Sequence, residues 1–152
     1  LFWNRDIPAV IAACADRTET WISHDIERLY VALAAEGHVH AVSAYDADDT
    51  LVGGVYGLMS EGCFCGESMF HRANDAAKLS VIALVSLLRQ HAVGLLDCQQ
   101  QTPHMERLGA FEIDDTSYAA ALAAAPVPQP LPRSAQLFGG DDPEARCAVA
   151  LG

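Results

Sequence analysis

The order of apolar segments predicts an α+β fold, a single domain with a mixed β-sheet flanked by helices. Three observations lead there. The chain has 152 residues, the length of one average domain. A glycine-punctuated, strand-rich stretch runs from His38 to Phe70. After it come an apolar helical pattern from Asn74 to about His91, an extended segment from Leu95 to Gln99, and further short helical and extended pieces. Strands followed by helix, strand, helix and strand is the order of a sheet with helices laid on it.

Each element has a local reason. Ser23 is placed to cap a helix whose apolar face is Ile26, Leu29, Tyr30, Leu33 and Ala34, with Gly37 as its stop. Asp46-Ala-Asp-Asp49 marks a hairpin turn inside the strand-rich region. Gly53, Gly54, Gly57, Gly62 and Gly66 punctuate it, and a glycine within a strand signals a bulge or a close approach. The Asn74 helix carries Leu79, Val81, Ile82, Leu84, Val85 and Leu88 around most of its circumference and is expected to be buried. Leu95 to Gln99 is expected as a central strand. Thr102-Pro103 reads as a cap and first helical residue, with Gly109 ending that short helix. Phe111 to Ile113 is expected as a last strand, followed by a weak helix near Ser117 to Ala124. From Pro126 the prolines at 126, 128, 130 and 132 favour an extended segment. The expected organisation is a domain over residues 1–125 and a Pro-rich tail over 126–152.

Composition excludes several classes. Apolar residues make up 51% of the chain, too many for a disordered protein. No apolar run approaches the ~20 residues that span a bilayer. Leu1 to Arg5 lack the basic start and apolar run of a secretory leader. The expectation is a cytoplasmic protein with no membrane partner. Five cysteines, Cys14, Cys63, Cys65, Cys98 and Cys147, are an odd set and argue against a disulfide framework. Cys63-Phe-Cys65 is too tightly spaced for the usual zinc pairs. The net charge is −11 and Lys78 is the sole lysine. Such a chain repels polyanions at long range, so any nucleic-acid contact must be short and confined to a pocket.

A few residues carry candidate chemistry. Gly94-Leu-Leu-Asp97-Cys-Gln99 runs from apolar residues into a carboxylate and an amide. Two residues apart on a strand, Asp97 and Gln99 share a face. An acid beside apolar residues needs a partner or costs free energy. The plain alternative is an acid capping the Thr102 helix. Glu67 and Ser68 follow Gly66 and could hold an ammonium group, or Glu67 could simply pair with Arg72. Trp21 offers a face on which a base can stack, a contact worth about 1–3 kcal/mol, though a core or rim aromatic is commoner. His38 and His40 share a strand face with no third metal ligand evident, His104 beside Pro103 is expected to be structural, and Lys78 pairs with Asp75 or Glu67 or meets a phosphate.

In the order of its elements the chain resembles an acyl-CoA N-acetyltransferase (GNAT-like) core. In its residues it resembles the leucyl/phenylalanyl-tRNA–protein transferases. The likeness runs through Val10-Ile-Ala-Ala-Cys14-Ala15, Thr20-Trp21-Ile22, Leu29-Tyr30, Gly37-His-Val-His40, Leu51 to Gly57, Phe64 to Phe70, Asn74 to Lys78, Leu96 to Gln99, and His104 with Leu108-Gly-Ala110. Gly66-Glu-Ser-Met-Phe70 and Asp97-Cys-Gln99 at this separation are its most specific pair. The resemblance implies an aminoacyltransferase that takes an amino acid from the 3′ end of aminoacyl-tRNA. It places that residue on an α-amine, by default the N-terminus of an acceptor protein. The ester is already activated, so no cofactor or metal is implied. Asp97 and Gln99 are implied at the reaction centre, Glu67 and Ser68 near the acceptor, and Trp21 against the terminal adenosine. Val55, Phe64, Met69, Leu84 and Leu96 are implied as an apolar aminoacyl pocket suited to Leu or Phe.

The chain also departs from the family pattern. These 152 residues hold no counterpart of the family's N-terminal domain. His40-Ala-Val-Ser43-Ala-Tyr45, Ala77, and Asp114-Asp115 replace the residues usual there. Three rivals follow. One is transfer to a small-molecule amine in a specialised biosynthetic pathway. Another is an acetyl-CoA-dependent acetyltransferase, for which Phe70 to Ala73 lacks the glycines of a pyrophosphate loop. The third is a binding module without catalysis.

Overall fold

The computed structural model describes residues 1–137. Gly139 to Asp142 and Cys147 lie outside the described residues. The elements are β1 (Phe2–Trp3), α1 (Ile7–Ala15), α2 (His24–Ala35), β2 (Val39–Tyr45), β3 (Leu51–Ser60), β4 (Cys63–His71), α3 (Ala76–Gln90), β5 (Leu95–Asp97), α4 (Pro103–Arg107), α5 (Asp115–Ala124) and β6 (Ala135–Gln136). The six strands form one sheet in the order β5-β4-β3-β2-β1-β6. All pairs are antiparallel except β4 with β5. The fold is therefore α+β with a mixed sheet.

Helices cover both faces. α3 packs Val81, Leu84, Leu87 and Leu88 against Trp3, Val42, Val55 and Phe64. On the other face α1 and the residues after it set Val10, Ile11, Cys14 and Ile22 against Val39, Ala41, Tyr56 and Phe70. α2 packs beside α1 and against the sheet, with Tyr30 edge-to-face on Tyr56, and is capped by Ser23, whose hydroxyl accepts from the Ile26 amide at 3.3 Å. Of its expected apolar face, Leu29 is left 55% exposed.

Local chemistry sets the hairpins. Asp46 Oδ1 accepts from the Asp48 and Thr50 amides and closes the β2–β3 turn. Gly53 sits under the start of α3, where an added Cβ would come within 2.5 Å of Ala76 Cβ. The Phe64 ring and the Cys65 carbonyl occupy the space beside Gly57 in the same way.

Several expectations are corrected. Leu95–Asp97 is an edge strand, not a central one, because α3 returns the chain alongside β4, the outer strand of the hairpin. It stops at Asp97, since Gln99 adopts φ +61° and leaves the extended region. Phe111 to Ile113 form no strand; Phe111 is 78% exposed and pairs with no sheet edge. α3 starts at Ala76, with Asp75 at φ 60° turned towards Lys78 (Nζ to Oδ1, 2.5 Å) rather than capping. β1, α1 and β6 carry no expectation from the sequence. The segment after α5 runs back over the domain. Pro132 O accepts from buried Trp3 Nε1 at 2.9 Å, and β6 pairs with β1.

Candidate active site

A cavity of about 1010 Å³ opens between α3, the middle of β4, the end of α1 and the loop after β5. Its floor is apolar by construction. Ala77, Val81 and Leu84 recur at helical spacing on one side of α3. Val55 on β3 and Met69 on β4 are direct cross-strand partners. Leu96 closes the floor from β5. Phe64 does not line it. This residue is fully buried beneath Val55 and Leu84, in register with Leu96.

The rim is polar. Tyr56 pairs with Ser68 and Gly57 with Gly66, so Glu67 is left over as a β-bulge. A bulge re-aims a side chain and bends the strand. Here it carries Glu67 to the cavity, and it explains why Phe64 and Phe70 point to opposite faces despite even spacing. Arg17 braces this stretch by donating to the Met69 carbonyl and lying 3.5 Å from Ser68 Oγ. Burial, then a hydrogen bond to Glu67 and its charge, push the Tyr30 phenol up to about 12. Trp21 packs edge-on against Tyr30 at 6.5 Å and leaves 53% of its surface exposed at the mouth. Asp16, Arg17, His71 and Arg72 complete that side, with Arg72 3.5 Å from Asp16.

The β5 end departs from the expected geometry. Asp97 and Gln99 do not share a strand face, because the strand ends between them. Their link is a turn in which Asp97 Oδ1 accepts the Gln99 amide at 2.7 Å. The left-handed backbone at Gln99 costs a non-glycine residue about 1 kcal/mol or more, and the surrounding bonds must hold it there. Gln99 lines both the large cavity and a second one of about 760 Å³ behind the loop, whereas Asp97 lines only the second. There Asp97 Oδ2 accepts from the Tyr118 hydroxyl at 3.0 Å.

The large cavity thus brings together Trp21, Val55, Glu67, Ser68, Met69, Leu84, Leu96 and Gln99. Asp97 stands one layer behind, and Phe64 lies below. Arg17, Tyr30 and Tyr118 escaped the sequence reading as site residues. Tyr30 and Tyr118 are far in sequence from the acids they contact, and nothing local in either segment signals the contact. His104 lines the cavity with a buried, unpartnered Nε2. His40 is engaged elsewhere, stacked on Trp3 at 5.0 Å and 2.9 Å from Asn4 Nδ2. Among the described residues no group of three or more His, Cys, Asp or Glu is placed to hold a metal ion. No helix among them is long and apolar enough to cross a membrane.

An apolar floor beneath a rim of carboxylate, amide and hydroxyl groups is the general form of a pocket that binds an apolar group and orients it by a few polar contacts. The family model "Leucyl/phenylalanyl-tRNA protein transferase" matches residues 1–123, and the chain belongs to that family. It is 48% identical over 122 residues to the leucyl/phenylalanyl-tRNA–protein transferase of Rubrobacter xylanophilus, across 80% of this chain and 64% of that protein. The protein of the same name from Nostoc punctiforme is 40% identical over 80% of this chain and 63% of its own length. That from Cereibacter sphaeroides is 47% identical, over 80% and 56%. The chain thus spans between 56% and 64% of the length of these relatives. All residues lining both cavities fall within the matched range.

Proposed function

We propose that this chain is the aminoacyl-transferring module of such an enzyme. It moves an apolar amino acid, of Leu or Phe type, from the 3′ end of aminoacyl-tRNA to the α-amine of an acceptor protein. The observation that carries this reading is the cavity itself, apolar at Val55, Met69, Leu84 and Leu96 and polar at Glu67, Ser68 and Gln99 around one opening.

The side chain of the donor amino acid fills the floor, and its ester carbonyl lies at the rim. Trp21 gives the terminal adenosine a face to stack on. Glu67, with Ser68 beside it, attracts the acceptor ammonium. Once neutral, the amine nitrogen attacks the ester carbon, and Gln99 hydrogen-bonds across amine and carbonyl. The tetrahedral intermediate collapses with the C–O bond breaking. The ribose oxygen leaves with the proton released by the amine, and an amide remains. Alignment and hydrogen bonding supply the acceleration, since the ester needs no further activation. Asp97 acts through Gln99, whose backbone it holds, rather than as a base touching substrate. Phe64 supports the aminoacyl pocket from beneath its floor.

The catalytic unit is residues 1–125, with the Pro-rich segment from 126 laid along it. The location is cytoplasmic, where charged tRNA is found. An acidic chain with few cations suits a contact limited to the tRNA end, close to Arg17 and Arg72. The test is transfer from radiolabelled Leu-, Phe- and other aminoacyl-tRNAs to a pool holding a peptide with N-terminal Arg and several small amines. Labelled peptide from apolar donors supports the proposal. Label only on small amines, or none on any acceptor, overturns it.

A further inference from the structure

We propose that Tyr118 is a positioning residue of this site: its hydroxyl pins the Asp97 carboxylate from behind, so that the carboxylate's other oxygen holds the Gln99 loop in its transfer geometry. The inference rests on the transfer reading above.

Tyr118 lies on α5, a surface helix with no buried residue. Asp114 caps it, accepting from the Ser117 amide at 2.8 Å. Its far end abuts Gly94, where an added Cβ would come within 3.0 Å of Ala125 Cβ. Within that frame the Tyr118 hydroxyl meets Asp97 Oδ2 at 3.0 Å and stands 3.9 Å from Cys63 Sγ. Asp97 Oδ1 takes the Gln99 amide at 2.7 Å. Both carboxylate oxygens are therefore committed, and rotating the side chain breaks at least one bond. Gln99 sits at φ +61°, a conformation that persists only when neighbours over-determine it. Asp97 supplies that constraint, and Tyr118 constrains Asp97. Gln99 already lines the large cavity, and Asp97 and Tyr118 stand behind it. A charged acceptor makes the phenol's bond stronger than a neutral one, so its loss is felt.

Y118F removes the hydroxyl and keeps the ring. The expected result is a fall in kcat of about tenfold, the scale of one lost hydrogen bond to a charged group. KM for the aminoacyl donor stays within about twofold, because the cavity floor and Trp21 are untouched. In a D97N background Y118F adds nothing further. A second measurement does not depend on transfer. Amide exchange at Gln99, followed by NMR, is expected to quicken about tenfold in Y118F and more in D97N. Wild-type kcat in Y118F, or unchanged Gln99 exchange, overturns the proposal. If the wild-type chain transfers nothing to any acceptor, the function proposed above fails. The exchange measurement then still decides whether Tyr118 acts on Gln99 through Asp97.

Discussion

The centre of the sheet and its β5 edge are built by different rules. At the centre, β2, β3 and β4 are long, joined by tight turns and covered on both faces. At the edge, β5 is three residues long, has one sheet neighbour, and gives way at once to loop and short helix. The centre, with α3 above it, supplies most of the apolar floor of the cavity, which Leu96 closes from the edge. The edge supplies Gln99 and the carboxylate behind it, and a bulge in β4 supplies Glu67. Regular structure makes a shape that holds an apolar group, and broken structure frees polar side chains to point into it.

Substitutions at the two regions should fail in different ways. The largest effect belongs to the centre. Phe64→Ala empties a fully buried site and is expected to cost about 3–5 kcal/mol of stability. Denaturant melts check this. At a temperature where the variant stays folded, its KM for aminoacyl-tRNA should change less than that of Leu84→Ala, which strips the cavity wall itself. A large KM effect with little loss of stability would return Phe64 to the pocket lining.

At the edge the order reverses. Gln99→Gly removes the amide and relieves a left-handed backbone, so stability should hold or rise by up to ~1 kcal/mol. Turnover should nevertheless fall about a hundredfold, the scale of one lost transition-state donor. Melting temperature and single-turnover transfer, measured on the same sample, separate the two. Trp21→Ala at the mouth should weaken donor binding by about 1–3 kcal/mol and leave kcat and the fold nearly unchanged. An unaltered KM there would remove the stacking role.

The same division decides what could be read from the sequence. The β2–β3 turn, the Ser23 cap and the Thr102-Pro103 start are written in local chemistry, and they appear where that chemistry puts them. So does the mixed α+β sheet, because the order of elements limits how a sheet can be covered. α3 is buried along Val81, Leu84, Leu87 and Leu88, but its other side leaves Leu79 45% exposed. The edge was misjudged. An apolar run such as Leu95-Leu96 reads alike in a central strand and an edge strand, since α4, α5 and the loops can bury it as well as a further strand can. Asp97 and Gln99 were placed on one face by strand periodicity, which ends where Gln99 takes a left-handed turn. The resemblance implies Phe64 in the aminoacyl pocket; it lies one layer beneath the cavity floor, and its apolar character alone does not distinguish a wall from the layer under it. The Tyr118 bond to Asp97 joins residues far apart in the chain, and no local pattern encodes it.

The smallest expected effect contrasts two thiols. Cys14 lies under the centre of the sheet, 1% exposed, and burial pushes it up to about 12 despite its hydrogen bond with Ser68 and the nearby Arg17. Cys98 lines both cavities at the edge, and burial followed by the Asp97 charge raises it less far. A group that holds its proton more tightly in the folded state favours folding up to its unfolded value near 9. Above that value the unfolded chain ionises first, so stability drains away as pH rises towards 12. Between pH 8 and 10 Cys14 should therefore account for a loss of about 1 kcal/mol. Cys65, pushed by burial up to about 11, adds to the same slope, so Cys14→Ala should lessen the slope without removing it, and by more than Cys98→Ala does. Alkylation gives the complementary readout. Iodoacetamide at pH 8 should label Cys98 well before Cys14, and a bound aminoacyl analogue should protect Cys98. Equal labelling rates would mean that the two regions do not differ in the way their packing requires.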